Sequence, residues 1–275
     1  TAQVYINNNN FTALNHTIAA ATGSITAILQ AGSSTAGPLN HNINNNTFTN
    51  ITSSSTGSFT FISSNWTRPT NGVGNINNNS IVTAFNKTGA GGTVTLYFSF
   101  GTSGATVNES NTGNNFSNIT VTGATTIAGW ASTDGGSLIK TVTNNTFSNW
   151  IGGTSAITGL DVSFSGSATV SGNLVSSITS AGAITGITSS SGTQTFSQNT
   201  VHTLSSTGAS AVTGISSTTG GTTQIFSKNK IYNLEANNAS GTVSGILVSA
   251  GTTTTIQNNI IGDLRTPSAN AAIPL

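Results

Sequence analysis

The fold is decided by "FSQNTVHTL" (residues 196–204) and "FSKNKIYNL" (residues 226–234), two segments that begin 30 residues apart and share one frame. Each has an apolar first residue, Asn in fourth place, and apolar residues in sixth and ninth place. Seven further segments follow this frame, and they begin at Ile6, Ile43, Ile76, Asn111, Val142, Val170 and Ile256. Two copies are imperfect, because Asn111 replaces the first apolar residue in one and Ala84 the last in another. A sequence repeated in this way indicates stacked copies of one structural unit.

The fourth place of the frame holds asparagine in every copy. These residues are Asn9, Asn46, Asn79, Asn114, Asn145, Asn173, Asn199, Asn229 and Asn259. An Asn amide both donates and accepts hydrogen bonds, and Asn tolerates left-handed backbone angles at a bend between strands. Stacked copies therefore predict a structural Asn ladder, as in cross-β arrays. A less favoured interpretation is that these side chains line a sugar-binding surface.

A second set of short apolar segments lies between the frames, as in "ITGI" from Ile184 and "VTGI" from Val212. Thr, Val, Ile and Phe favour strands, and the Gly, Ser and Asn residues between them favour turns. The frames recur every 26 to 37 residues. This pattern predicts an all-β fold, a parallel β-helix (β-solenoid) of about nine coils with a three-sheeted cross-section. Parallel crossovers favour a right-handed coil.

The repeats run through almost the whole chain, so we expect a single β-helix domain over residues 1–275. The repeat coils occupy about residues 3–264, and residues 265–275 form a C-terminal tail or the start of a cap. Parallel strands stack about 4.8 Å apart, which gives a rod about 40 Å long.

Charged residues make up only 4% of the chain, and the formal net charge is +1. The basic residues are scattered along the sequence: Arg68, Lys87, Lys140, Lys228, Lys230 and Arg265. Nucleic acids and anionic membranes require clustered Lys and Arg, so neither is an expected partner. No run approaches the roughly 18 apolar residues of a membrane helix, so we expect no membrane insertion.

Metal and cofactor chemistry has little support in the sequence. The chain has no Cys, which excludes disulfides and thiolate ligands. Its three histidines, His16, His41 and His202, fall at unrelated offsets from the frame, which argues against a shared metal site. We therefore predict no metal and no cofactor.

Polysaccharide cleavage normally requires two carboxylates about 5 to 9.5 Å apart. The carboxylates of the chain are Glu109, Asp134, Asp161, Glu235 and Asp263. Asp134 and Asp161 lie at different offsets and are not expected to meet. Glu235 and Asp263, on neighbouring coils, are the one pair predicted to be near enough. Arg265 has the same offset as Glu235, however, which favours a surface ion pair over a catalytic site.

Other repeated positions predict surface features. An outward column of hydroxyl side chains is expected at Thr26, Thr60, Thr95, Thr158, Thr185, Thr213 and Ser244. Strand propensity explains this column, and an ice-binding surface is a minor alternative. His202 and Tyr232 share an offset and should stack on the surface. Glycosylation sequons at predicted exposed positions are Asn15, Asn65, Asn86 and Asn238.

Two longer segments carry a family resemblance: "NNTFSNW" (residues 144–150) and "AITGITSSSGTQTFSQNTV" (residues 183–201). The chain resembles the β-strand-repeat, pectin-lyase-like β-helix regions of large secreted or cell-surface proteins, particularly those of Bacteroidota-type bacteria. The resemblance implies an extracellular scaffold with roles in adhesion, gliding or matrix structure. An Asn ladder is also familiar in pectate-lyase-like enzymes.

These patterns lead us to expect a non-enzymatic extracellular structural scaffold, a fibre or filament subunit or an adhesin shaft. Its expected partners are other copies of itself, stacked end to end, or further coils of a longer chain, with surface glycans as an alternative. The competing hypothesis is a carbohydrate-binding or polysaccharide-cleaving β-helix that uses the region of Glu235 and Asp263.

Overall fold

A computed structural model describes residues 3–33, 40–218 and 222–268. Within these residues the chain is all-β and contains no helix. Its strands are β1 (Gln3–Asn7), β2 (Asn10–Thr12), β3 (Ile25–Ser33), β4 (Asn40–Asn44), β5 (Thr47–Thr49), β6 (Thr52–Ser53), β7 (Phe59–Thr67), β8 (Val73–Asn75), β9 (Ser80–Ile81), β10 (Phe85–Lys87), β11 (Thr93–Ser99), β12 (Thr102–Ser103), β13 (Asn108–Thr112), β14 (Ile119–Val121), β15 (Thr126–Ser132), β16 (Gly135–Gly136), β17 (Ile139–Thr143), β18 (Thr146–Ile151), β19 (Ile157–Val162), β20 (Ser167–Ser171), β21 (Leu174–Ser180), β22 (Ile184–Ser189), β23 (Thr193–Ser197), β24 (Thr200–Ser206), β25 (Ala211–Ser217), β26 (Thr223–Ser227), β27 (Lys230–Ala236), β28 (Thr242–Val248), β29 (Thr253–Gln257) and β30 (Ile260–Arg265).

The strands form three long parallel sheets that the chain visits in turn. The first sheet has the order β1-β4-β8-β13-β17-β20-β23-β26-β29. The second consists of β6-β10-β14-β18-β21-β24-β27-β30, with β2-β5-β9 beside it, and the third is β3-β7-β11-β15-β19-β22-β25-β28. A two-stranded piece, β12-β16, completes the set. The nine strands of the first sheet correspond to about eight turns of a parallel β-solenoid, which confirms the predicted fold class.

The repeated frame places its apolar residues inside the solenoid. The first frame residue ends up in a strand of the first sheet, whereas the sixth and ninth face inward from the second sheet, as Val142, Phe147 and Trp150 do. Equivalent residues stack directly on one another, and the rings of Phe196 and Phe226 lie 5.0 Å apart. The core is therefore a set of apolar columns that run along the rod.

The turn between the first and second sheets uses a left-handed residue, but not the one predicted. Asn45, Asn144 and Gln198 have φ angles of 56°, 54° and 58°, and each directly precedes a ladder residue. The expectation that the ladder Asn itself takes the left-handed conformation is wrong. The preceding residue bends the chain, which leaves the ladder amide free to point along the rod.

Glycine in the third-sheet segments permits close stacking of the coils. A Cβ atom on Gly186 would lie 2.5 Å from the Gly214 carbonyl oxygen and 2.6 Å from a Val201 methyl group. Both distances are far below van der Waals contact, so a larger residue would push neighbouring coils apart. This explains the recurring "TG" in these segments.

The described coils run from Gln3 to Arg265, close to the predicted bounds. The last seven residues of the predicted tail, including Pro274, lie outside the described residues. No helix in the described part of the chain is long and apolar enough to cross a membrane.

Candidate functional site

The Asn ladder runs without a break from Asn9 to Asn259. In each step the side-chain Nδ2 of one Asn donates to Oδ1 of the Asn on the next coil, at 2.9–3.0 Å. The backbone N–H of the same residue donates to the same oxygen at 2.9–3.1 Å. The second Nδ2 hydrogen reaches a backbone carbonyl one coil earlier, at 2.7–3.0 Å.

Each interior ladder amide therefore has both donors and its acceptor satisfied. The interior members, from Asn46 to Asn229, are buried. Burial of these seven residues rules out the alternative that the ladder lines a sugar-binding surface, and that interpretation is wrong. The ladder holds neighbouring coils together and fixes their register, which is a structural role.

A second polar feature inside the solenoid is an ionic cluster formed by the side chains of Arg68, Glu109, Asp134 and Lys140. Arg68 pairs with Glu109, and Lys140 Nζ lies 2.8 Å from Glu109 Oε1 and 2.7 Å from Asp134 Oδ2. All four side chains have no solvent exposure. Two cations and two anions leave the cluster with no net charge, which is how buried charges are normally tolerated.

Glu109 also accepts hydrogen bonds from two neutral groups. Tyr97 Oη donates to Glu109 Oε1 at 3.0 Å, and Asn111 Nδ2 donates to the same oxygen at 2.7 Å. Asn111 is the one first frame residue that is not apolar. Its exception to the frame thus has a physical reason, because an apolar side chain here would leave a buried carboxylate with fewer donors.

Side chains of the third sheet contact both Asp134 and Lys140. Ser99 Oγ and Ser132 Oγ donate to Asp134 Oδ2 at 2.6 and 3.0 Å. The Lys140 ammonium lies 5.2 Å from the centre of the Trp130 ring, a cation–π contact. Asp134 Oδ1 has no hydrogen-bond partner among the residues that the structure describes. Buried polar atoms of this kind are commonly met by ordered water.

Strand register explains how these residues come together. The second residue of each first-sheet strand faces inward, and this column contains His41, Gly74, Glu109 and Lys140 on successive coils. A facing column from the third sheet contains Gln30, Ser64, Ser99 and Ser132. On the next coil the two columns continue with Ala168 and Val162, so the polar region ends there.

One sequence expectation is wrong at this site. Glu235 and Asp263 are not the one pair of carboxylates that comes together, because Glu109 and Asp134 both bind Lys140 Nζ. The sequence also did not reveal that three of its basic residues, Arg68, Lys87 and Lys140, are buried. The missed signal was a shared offset, since Glu109 and Lys140 each lie two residues before a first frame residue.

Burial and neighbouring charges set the ionisation of the cluster. Burial raises the pKa of Glu109, but the attraction of Arg68 and Lys140 outweighs it and holds this pKa below its usual range. Burial and the charge of Arg68 lower the pKa of His41 to about 3. At neutral pH the cluster thus contains ionised Glu109 beside neutral His41.

These shifts predict that acid destabilises the protein. A His41 pKa of about 3 in the folded chain, against about 6.5 in the unfolded chain, means that unfolding takes up a proton between these values. Stability is therefore full above pH 6.5 and falls as the pH drops towards 3; Glu109 adds to the loss below about pH 4.5. We expect His41 alone to lower the free energy of unfolding by about 3 kcal/mol between pH 7 and pH 4.

Urea unfolding of the wild type and of His41→Gln across this pH range measures the effect. His202→Gln is the control, since His202 stacks on Tyr232 at a partly exposed position. We expect the His41 variant to lose much of the pH dependence between 4 and 6.5. An unchanged profile would contradict the assignment of a buried neutral His41.

The second carboxylate pair lies on the surface. Arg265 Nη2 is 3.1 Å from Glu235 Oε2, and Arg265 Nη1 is 3.2 Å from Asp263 Oδ1. Glu235 and Arg265 are register partners, which confirms the predicted ion pair. Because one guanidinium binds both carboxylates, this arrangement favours the structural interpretation over acid and base catalysis.

The remaining surface predictions can be placed on the structure. The seven hydroxyl residues from Thr26 to Ser244 form one in-register column, with Ala128 between Thr95 and Thr158. The neighbouring outward column is irregular and includes Phe98, Asp161 and Leu247, which does not favour a flat ice-binding array.

The predicted aromatic stack is confirmed, since the rings of His202 and Tyr232 lie 4.8 Å apart and nearly parallel. Among the sequons, Asn15, Asn65 and Asn86 are exposed and Asn238 is partly buried. Their glycosylation stays a prediction.

The fold and these sites define the class of protein as a parallel β-solenoid with a sealed interior. Comparisons with protein families, curated proteins and solved structures find no match to this chain. Among the described residues, no group of three or more His, Asp or Glu side chains is arranged to hold a metal ion.

Proposed function

We propose that this chain is a non-enzymatic structural scaffold, a segment of a fibre or of an adhesin shaft outside the cell. The observation that carries the proposal is the unbroken Asn ladder, which links every described coil from Asn9 to Asn259. A ladder of this kind couples all coils into one stiff rod, and each coil contacts only its neighbours. Such a rod is suited to holding other parts of an assembly apart.

The placement of the carboxylates also supports a structural role. Glu109 and Asp134 are sealed inside the solenoid and neutralised by cations, so a polysaccharide in solvent has no access to them. Glu235 and Asp263 both bind Arg265 on the surface. One guanidinium thus holds both carboxylates of the pair, which supports a structural role for them.

The resemblance of "NNTFSNW" and "AITGITSSSGTQTFSQNTV" to the β-helix regions of large secreted proteins supports the location outside the cell. The regions that these segments resemble are the pectin-lyase-like repeats of Bacteroidota-type surface proteins. For a chain with these repeats we propose adhesion, gliding or matrix structure as the biological setting.

The enzymatic alternative has a direct test. The purified chain is incubated with a panel of neutral and acidic polysaccharides, and reducing ends and unsaturated products are measured. We expect no product above the buffer control. Product formation that is lost in the Glu235→Gln/Asp263→Asn variant would overturn the non-enzymatic proposal and assign catalysis to that pair.

A further inference from the structure

The amine of Lys140 is held against two carboxyl groups in the interior of the solenoid. Lys140 Nζ lies 2.7 Å from Asp134 Oδ2 and 2.8 Å from Glu109 Oε1, and none of the three side chains has solvent exposure. The rings of Trp130 and Phe164 have their centres 5.2 and 5.3 Å from Nζ. The site therefore brings an amine, a carboxyl group and a second carboxylate together beside apolar rings.

The two carboxyl oxygens of Asp134 have different surroundings. Oδ2 accepts hydrogen bonds from Ser99 Oγ at 2.6 Å, from Ser132 Oγ at 3.0 Å and from Lys140 Nζ. Oδ1 is buried and has no hydrogen-bond partner among the described residues. Two hydroxyl groups thus point at the oxygen on which negative charge develops when a nucleophile attacks the carboxyl carbon. Oδ1 is the oxygen that can leave without the loss of a hydrogen bond.

We propose that Lys140 and Asp134 condense to an amide (isopeptide) bond inside the solenoid, with Glu109 as the general base. Glu109 Oε1 accepts a proton from Nζ, the free amine attacks the Asp134 carboxyl carbon, and the bond from that carbon to Oδ1 breaks. Of the three ammonium protons, one stays on the amide nitrogen and two leave with Oδ1 as water. The step requires no oxidant or reductant, and Glu109 is ionised again at its end.

Burial favours this condensation, which is unfavourable in water. Solvent hydrates a free ammonium and a free carboxylate strongly, whereas burying the two ions is costly. The amide replaces both ions with one neutral group, and the ions that remain, Arg68 and Glu109, still pair with each other. Groups held in reactive contact also gain an effective molarity on the order of 10⁵–10⁸ M.

The surroundings select Asp134 over Glu109 as the carboxyl group that reacts. A carboxylate must gain a proton before one of its oxygens leaves as water. Arg68 pairs with Glu109 and, together with Lys140, holds the pKa of this carboxyl below its usual range. Glu109 therefore stays ionised and acts as the base. Condensation at Glu109 would also leave the Arg68 guanidinium without its partner anion.

The bond would close one corner of a single coil. Asp134 follows β15 of the third sheet, and Lys140 is the second residue of β17 in the first sheet. The turn between them contains β16 and becomes a covalent ring. This covalent closure goes beyond the proposed structural role, which does not require it.

Intact mass spectrometry of the purified and denatured chain tests the bond. We expect the wild type to be lighter than its sequence mass by one water, and Lys140→Arg and Glu109→Gln to have their full sequence masses. Glu235→Gln is the matched control, since it makes the same change in a surface carboxylate and should keep the loss of water. Circular dichroism before denaturation confirms that each variant is folded.

Chymotrypsin digestion of the denatured chain locates the bond. Cleavage after Leu138 cuts the segment between Asp134 and Lys140, and the two peptides should stay joined. The chain has no Cys, so no disulfide can hold them. Asp134 precedes Gly135, and such a pair can also lose water by forming a succinimide. Alkaline hydroxylamine opens a succinimide but leaves the amide between side chains intact.

A wild-type chain at its full sequence mass would overturn the proposal. A loss of water that Lys140→Arg retains, or that hydroxylamine reverses, would do the same. A link from Lys140 to Glu109, or the loss of one ammonia through Asn111, would contradict the assignment to Asp134. None of these outcomes bears on the structural role, which the polysaccharide assay tests separately.

Discussion

Replacing Asn145 with Ala is expected to lower the free energy of unfolding by about 4 kcal/mol. The substitution removes the acceptor for the backbone and side-chain N–H groups of Asn114 and the donors to Asn173 and to the Asn111 carbonyl. The partners left behind are buried, so they lose hydrogen bonds without gaining water. Leaving buried polar groups unsatisfied costs more than the net value of the bonds themselves.

Chemical denaturation followed by circular dichroism measures this loss. The control is Asn86→Ala, which makes the same change at an exposed position in the second sheet, and it should cost less than about 0.5 kcal/mol. Equal effects of the two substitutions would show that the ladder contributes no more than any surface asparagine.

Glu109→Gln is expected to lower the free energy of unfolding by about 3 to 5 kcal/mol. The carboxylate is the shared partner of Arg68 and Lys140, and its side chain has no exposure. Gln keeps the size of the side chain but removes the charge, so two buried cations are left with Asp134 as the one anion of the cluster. An uncompensated buried charge is the most costly outcome of breaking an ion pair.

Glu235→Gln makes the identical change in an ion pair on the surface. Arg265 is 45% exposed there, and solvent screens the interaction, so we expect a loss of at most about 1 kcal/mol. Adding Lys140→Met to Glu109→Gln restores the charge balance of the cluster. We expect the double variant to be less destabilised than the sum of the two single changes, which a double-mutant cycle measures. Similar losses for Glu109→Gln and Glu235→Gln would contradict the buried cluster.

The ladder and the apolar columns were predictable because both repeat in the sequence. A column of stacked residues has the same frame position in every coil, and Asn145 or Phe196 can be assigned to it by counting. Loop length does not disturb this assignment. Successive ladder residues are 26 to 37 residues apart in the sequence, yet they form the same hydrogen bonds with each other.

The ionic cluster was not predicted because its members do not repeat. Strand β13 reads "NESNT", with no apolar residue, so alternation does not reveal that Glu109 and Asn111 face inward. Arg68 and Asp134 lie one and two residues after strands of the third sheet, β7 and β15, where the frame assigns no position. Only the offset shared by Glu109 and Lys140 was visible in the sequence, and it indicated a contact between adjacent coils.

The low charge of the chain now has a fuller explanation. Repeated charges in a column would repel one another, which favours Ser, Thr and Asn on the surface. Yet Arg68, Lys87, Glu109, Asp134 and Lys140 are inside. Four of these side chains form the cluster, in which Arg68, Glu109, Lys140 and Asp134 contact one another in that order. Their charges therefore alternate in sign along the chain of contacts and compensate one another. The fifth, Lys87, instead donates from Nζ to the carbonyls of Gly89 and Gly91. The interior charges are therefore compensated by opposite charges or by backbone carbonyls.

Electron microscopy of the native material, labelled with an antibody raised against this chain, tests the structural role most directly. We predict that the label lies along extended fibres or shafts outside the cell, and that the labelled material shows no polysaccharide cleavage. Short, free rods that remain monomeric and degrade a polysaccharide would contradict the account.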